Sequence, residues 1–163
     1  MKQIELIGFG QHDGRTFEFR PGLNIIKGPN EAGKTTLQTA VMFALLGNPG
    51  HSTLERAQRV DDHITWGRNN GFKIILDFQD GNGAEYRLQK DWGANSTRLT
   101  NLQANESFED IGAVERIISQ LLGYGSLKLL QSTILVEQDS IDDISVGRRE
   151  IGDQLQSIVT GGG

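Results

Sequence analysis

The 163-residue sequence contains no cysteine, which excludes disulfide staples and thiolate metal sites and fits a reducing, cytoplasmic setting. It also lacks any long apolar run. The longest, AVMFALL, falls far short of the roughly twenty residues that cross a bilayer. The opening MKQIELIGFG has Glu5 inside its apolar stretch and no small-residue cleavage site after it, so it does not read as a secretory signal. Positive charge is not in excess. Sixteen Lys and Arg stand against 21 Asp and Glu, for a net charge of −5. A surface basic all over is therefore excluded, and any contact with nucleic acid would need a local patch, a shared groove or a partner. Neither an internal repeat nor a run of heptads is present. The three histidines, His12, His51 and His63, have no metal-ligand spacing, and no Ser–His–Asp arrangement can be built. His12 reads as a turn residue, with a nucleotide contact as its alternative.

What is present is ordinary for a globular protein: 36% hydrophobic and 23% charged residues, enough for one domain or for two small lobes sharing a core. Alternation predicts a strand over 2–9 and, after the turn GQHDG, a hairpin partner in RTFEF. LNIIK reads as a short strand buried on both faces. In KTTLQTAVMFALLG, Leu37, Val41, Ala44 and Leu45 recur at helical spacing, with Gly47 and Pro49 as the stop. The polar stretch 48–71 reads as irregular with one short helical turn. FKIILDF, AEYRLQKDW and STRLTNLQ read as strands of an antiparallel β lobe over about 72–103, the first two joined by the hairpin signal QDGNG. FEDIGAVERIISQLLG has the pattern of an amphipathic helix, STILVEQD that of a buried strand, and 146–159 that of a helix. The closing TGGG, 160–163, reads as linker or truncation end, with the natural protein expected to continue.

One stretch carries chemistry. GPNEAGKT fits G-x-x-x-x-G-K-[ST], with Gly28, Gly33, Lys34 and Thr35 in the fixed places, after an apolar segment and before a helix. Gly28 and Gly33 permit backbone angles and a close approach that a Cβ forbids. The N–H groups from Asn30 through Glu31, Ala32 and Gly33 to Thr36 are expected to form a nest for phosphate oxygens, helped by the positive end of the following helix. Lys34 supplies a mobile charge for the β- and γ-phosphates, and the Thr35 hydroxyl is a hard ligand suited to Mg²⁺. The motif predicts a nucleoside triphosphate site.

The residues around it are more specific. IELIGFGQHDGRTFEFRPGLNIIKGPNEAGKTTLQTAVMFALLG resembles the N-terminal head segment of the SMC and SbcC-like ATPases, ABC-type enzymes of chromosome maintenance and double-strand-break repair. Glu31 and Ala32, in place of the commoner Gly-Ser, look like the SbcC-like and YhaN-like branches. The opening turn departs from the pattern: many relatives carry a basic residue where this chain has Gly10. The resemblance implies an α/β P-loop fold, the N-terminal lobe of an ABC-type head with an antiparallel β lobe and flanking helices over 1–159. It places a Q-loop glutamine at Gln138, near Mg²⁺ and the attacking water, and the start of a coiled coil at 146–159.

It also shows what is missing, a Walker B strand ending in Asp-Glu and an LSGG-like signature. Asp77 in KIILDF precedes an aromatic and reads as part of a β-lobe strand. Glu137 in ILVEQ is the more serious rival, but the resemblance gives that strand to the Q-loop. The family supplies both missing parts from elsewhere: Walker B from a C-terminal half of the same head, and the signature from a second head in an ATP-sandwiched homodimer. The implied cofactors are ATP and Mg²⁺, the implied partners those two, DNA and a nuclease, with no membrane, and the implied location is cytoplasmic, on the nucleoid in a bacterium or archaeon. Two other readings stay open: a self-sufficient P-loop phosphotransferase using Glu137 or Asp77, and a nucleotide-gated nucleic-acid-binding module using Arg56, Arg59, Arg68, Lys73, Arg87, Lys90 and Arg98.

Overall fold

The structure is a computed structural model that describes residues 1–50 and 60–123. Its strands are β1 (Gln3–Ile7), β2 (Arg15–Glu18), β3 (Lys73–Gln79), β4 (Glu85–Asp91), β5 (Ser96–Asn101) and β6 (Glu106–Phe108). Its helices are α1 (Lys34–Leu46) and α2 (Ile111–Leu122), with a 3₁₀ turn at Asp61–His63. The strands make one antiparallel sheet in the order β2-β1-β3-β4-β5-β6. The expected β lobe and the opening hairpin are thus one sheet, joined where β1 pairs β3 from Gln3↔Asp77 to Ile7↔Lys73.

Alternation decides the layers. Ile4, Leu6, Ile74, Leu76, Leu88 and Leu99 are all buried and share one face of the pleat. Against that face α1 lays Leu37, Ala40 and Ala44, and α2 lays Val114 and Ile118, completing a single core. Fully burying a side chain of this size contributes roughly 1.5–3 kcal/mol. The opposite face carries Gln3, Glu5, Lys73, Arg87, Gln89 and Arg98. There Asp77, nearly buried, accepts two hydrogen bonds from Arg87 at 2.8 Å and one from the Gln3 amide.

Aromatic rings lock α1 to the sheet. Phe72 packs on Trp92 at 4.6 Å between centroids and on Phe9 at 4.7 Å, and Phe43 of α1 touches all three. The β3–β4 hairpin is set by Asp80, whose Oδ1 accepts from the N–H groups of Asn82 and Ala84, both at 2.9 Å.

Two features differ from the sequence reading. LNIIK is not a strand: residues 23–29 have no regular structure, and Leu23 and Ile25 are 89% and 68% exposed. A strand apolar on both faces needs neighbours on both faces, and none of the described strands pairs with it. The short β6 had no signal of its own; it is held by three register pairs with β5 and by a 3.0 Å hydroxyl contact between Thr100 and Ser107. The expected strand STILVEQD, with Glu137 and Gln138, and the helix over 146–159 lie outside the described residues, as do His51, Arg56 and Arg59.

Candidate functional site

The loop from Gly28 leads into α1 through Gly33, whose φ of 83° and ψ of 21° place it in the left-handed region. Only glycine adopts that conformation freely, and a Cβ here would also overlap the side chains of Gln11 and His12. The helix has no side-chain cap and no acidic residue in its first turn. Its first return bond is Leu37 N–H to Gly33 O at 2.9 Å. The N–H groups of Lys34, Thr35 and Thr36 are therefore left without helical acceptors at the positive end of the dipole.

Lys34 folds back over the loop and donates to the carbonyls of Gly28 at 2.9 Å and Pro29 at 2.7 Å. Asn30, Glu31 and Ala32 are exposed, and Glu31 has a φ of 66°. A Cβ on Gly28 would lie 3.0 Å from Ala32 Cβ, so the loop is as tight as its sequence requires. The donor set suits a phosphate chain: uncapped N–H groups, a half-buried lysine bent over the loop and a close backbone. The exposed Thr35 hydroxyl is a hard oxygen of the kind that suits a Mg²⁺ carried in on that chain.

The β1–β2 turn presses on this loop from one side. His12 is buried, and its Nε2 lies 3.1 Å from Gly33 O while its Nδ1 lies 3.4 Å from an Arg15 guanidinium nitrogen. A carbonyl only accepts, so Nε2 carries the proton and Nδ1 is free to accept from Arg15. Phe17 meets the ring edge-on at 5.1 Å. Gly10, with a φ of 54°, faces Thr36, whose methyl would stand 2.6 Å from a Cβ at position 10. The sequence reading put His12 in a turn, which is where it is, but missed its grip on the loop. The only sequence signal for it was an imidazole between two hairpin strands.

The far end of α1 is held as firmly. Lys90 of β4, 2% exposed, donates to Gly47 O at 2.6 Å, just past the helix end. Burial lowers its ammonium from 10.5 to about 8, with Glu115 of α2 opposing. Asn48 reaches the same Glu115 at 3.3 Å. Burial likewise lowers the pKa of His63, stacked 5.4 Å from the Phe9 ring, with Asp62 opposing.

Four of the basic residues of the middle third are engaged elsewhere among the described residues. Arg68 pairs with Asp13, Arg87 with Asp77 and Arg98 with Glu109, and Lys90 is buried. Asp77 sits on the sheet face opposite α1 and is neutralised there, which removes it as a carboxylate for the phosphate loop.

A glycine loop closing into an uncapped helix, backed by an antiparallel lobe, defines a P-loop NTPase fold. The chain belongs to the AAA domain family, whose model matches residues 3–157. It is 32% identical over 151 residues to the DNA replication and repair protein RecF of Moorella thermoacetica, covering 91% of this chain and 38% of that protein. It is 26% identical over 164 residues to the DNA double-strand break repair Rad50 ATPase of Methanopyrus kandleri, covering 92% and 19%. A solved chain from work on ATP-driven dimerisation and DNA-stimulated activation of SMC ATPases shares the fold, with a TM-score of 0.62 at 18% identity over 94% of this chain and 98% of that one. The chain thus spans well under half the length of these curated relatives. No helix among the described residues is long and apolar enough to cross a membrane.

Proposed function

We propose that the chain binds ATP with Mg²⁺ through Gly28–Thr36 and forms the N-terminal lobe of an ATPase head in a DNA repair or chromosome-maintenance protein. The observation that carries this reading is the uncapped first turn of α1 behind a left-handed Gly33, with Lys34 poised over the loop. Lys34 takes the β- and γ-phosphates, the N–H groups from Asn30 to Thr36 take the oxygens, and Thr35 takes the metal. Gln138 is assigned the Q-loop role. Hydrolysis is proposed to need a C-terminal half of the same head, which brings the Walker B carboxylates, and a second head that closes over the nucleotide. The exposed Leu23, Ile25 and Ile26 support a covering partner, because an unpaired apolar segment beside the phosphate loop is what a docking strand would bury. DNA and a nuclease are the further partners proposed, in the cytoplasm or on the nucleoid.

Thermal unfolding with and without Mg²⁺-ATP, run beside a phosphate-release assay, tests this. At a hundred times the Kd, ligand stabilises by about 2.7 kcal/mol. The expected result is an upward shift in Tm, lost in Lys34→Ala, with phosphate release only after the C-terminal half is added. No shift at millimolar ATP would overturn the binding reading; turnover by the chain alone would overturn the half-head reading.

A further inference from the structure

The sequence contains two Asn-Gly dipeptides, Asn70-Gly71 and Asn82-Gly83. In each, glycine presents the least hindered backbone nitrogen to the side-chain amide before it. Both asparagines are exposed, so exposure does not separate them. Their glycines do. Gly71 is buried, and a Cβ on it would stand 2.7 Å from Gly93 N and 3.0 Å from Trp92 C. The Asn70 carbonyl is wedged as tightly, its oxygen 2.1 Å from where a Cβ on Gly93 would lie. The Asn70–Gly71 peptide therefore cannot turn without parting the close-packed backbone at 92–93. Gly83 stands in the open. The nearest atom to a Cβ there is Gln79 Nε2 at 3.6 Å, and a Cβ on Gly81 would meet no described atom within 4 Å. The Asn82 carboxamide has no hydrogen bond to a described residue. Asp80 Oδ1 holds the N–H groups of Asn82 and Ala84, both at 2.9 Å. Between them Gly83 N–H has a single long bond, to Asp80 O at 3.2 Å, at the weak end of the range for such a pair.

We infer that Asn82 is a site of spontaneous deamidation in the native chain, and that the fold protects Asn70 from the same reaction. Gly83 N gives its proton to solvent base and bonds to Asn82 Cγ, while the Cγ–Nδ2 bond breaks and ammonia leaves. The five-membered imide that results takes up one water. Opening at Cγ yields aspartate, and opening at the main-chain carbonyl yields isoaspartate. Either product places a new negative charge beside Asp80. Isoaspartate also lengthens the main chain by one methylene between the two N–H groups that Asp80 Oδ1 holds, which loosens the tip of the β3–β4 hairpin. The reaction needs only water and base, and it is independent of nucleotide.

Peptide mapping by mass spectrometry reads the exchange of NH₂ for OH at both sites in the full chain, aged in mildly alkaline buffer with and without guanidinium chloride. Ageing continues until the unfolded chain has converted half of each site, which gives each asparagine its own unhindered rate. In the native chain Asn82 is expected to react within about tenfold of that rate, and Asn70 at least about a hundredfold below its own, because Asn70 must wait for the fold to open. Ageing is also expected to lower the Tm of the parent and to leave that of Asn82→Ser unchanged. A native Asn82 as protected as Asn70 would overturn the inference, because the turn would then lock the amide. A native Asn70 as fast as Asn82 would overturn it too, because Gly71 would then give no protection. Equal loss of Tm on ageing in the parent and in Asn82→Ser would overturn the placing of the weak point at Asn82.

Discussion

Lys90 offers the sharpest quantitative test of how α1 is held. Its ammonium is buried between β4 and the end of the helix, satisfied by Gly47 O and lowered from 10.5 to about 8. Below pH 8 both the folded and the unfolded chain carry the proton, and the full penalty of burying the charge is present. Between about 8 and 10.5 the unfolded chain still holds a proton that the folded chain has released, so stability rises with pH. Above both values the penalty is gone. At 1.36 kcal/mol per pKa unit, the gain across the window is about 3 kcal/mol. The assay is urea unfolding at intervals from pH 7 to 11 for the parent chain and for Lys90→Met, which keeps the stem and removes the charge. Other groups titrate alike in both, so the difference isolates Lys90. At pH 7 the two should lie within about 2 kcal/mol, because the variant sheds the desolvation penalty but leaves Gly47 O without its charged donor. By pH 11 the parent should have gained about 3 kcal/mol on the variant. Curves that stay parallel within about 0.5 kcal/mol would refute the reasoning, because Lys90 would then be ionised in an environment as polar as water.

The turn that presses on the P-loop gives two more predictions. Gly10→Ala should cost about 2–4 kcal/mol by denaturant unfolding, from the left-handed backbone and the overlap with the Thr36 methyl. Adding Thr36→Ser, which deletes that methyl, should recover the overlap part alone, and strictly additive losses would count against the contact. His12→Ala should weaken Mg²⁺-ATP by titration and destabilise the fold by about 2–4 kcal/mol, since a buried ring and its bond to Gly33 O are both lost. An unchanged affinity would show that the loop keeps its shape without the imidazole.

The parts of the fold that were legible were those written in local pattern. The glycine loop and α1 follow from a motif with fixed spacing, and β3 to β5 follow from alternation punctuated by QDGNG. Lys90 was legible too, though it was read as one of a scattered basic set: it shares the parity of Leu88 and Trp92, and parity in a strand decides which face a side chain joins. What stayed hidden depends on partners distant in sequence. Nothing in GQHDG says that its imidazole will meet a glycine carbonyl 21 residues on. LNIIK shows that it is apolar but not what will cover it, and in the described residues nothing does.

The order of the strands bears on how the protein folds. β3 to β6 form a meander of short hairpins, whereas β1 meets β3 only after an excursion from Ile7 to Lys73 that contains the whole phosphate loop and α1. That excursion is about thirteen times longer than the hairpin loop between Gln79 and Glu85. Its closure therefore costs about 2 kcal/mol more in chain entropy. Topology therefore predicts that the meander forms first and that β1 pairs onto its exposed edge late. The phosphate loop takes shape only when that edge is filled, because the turn that grips Gly33 hangs from β1. A ligand that favours the gripped loop would then slow unfolding at the β1 seam first, and the amides of β1, rather than those of the meander, would report its arrival in hydrogen exchange.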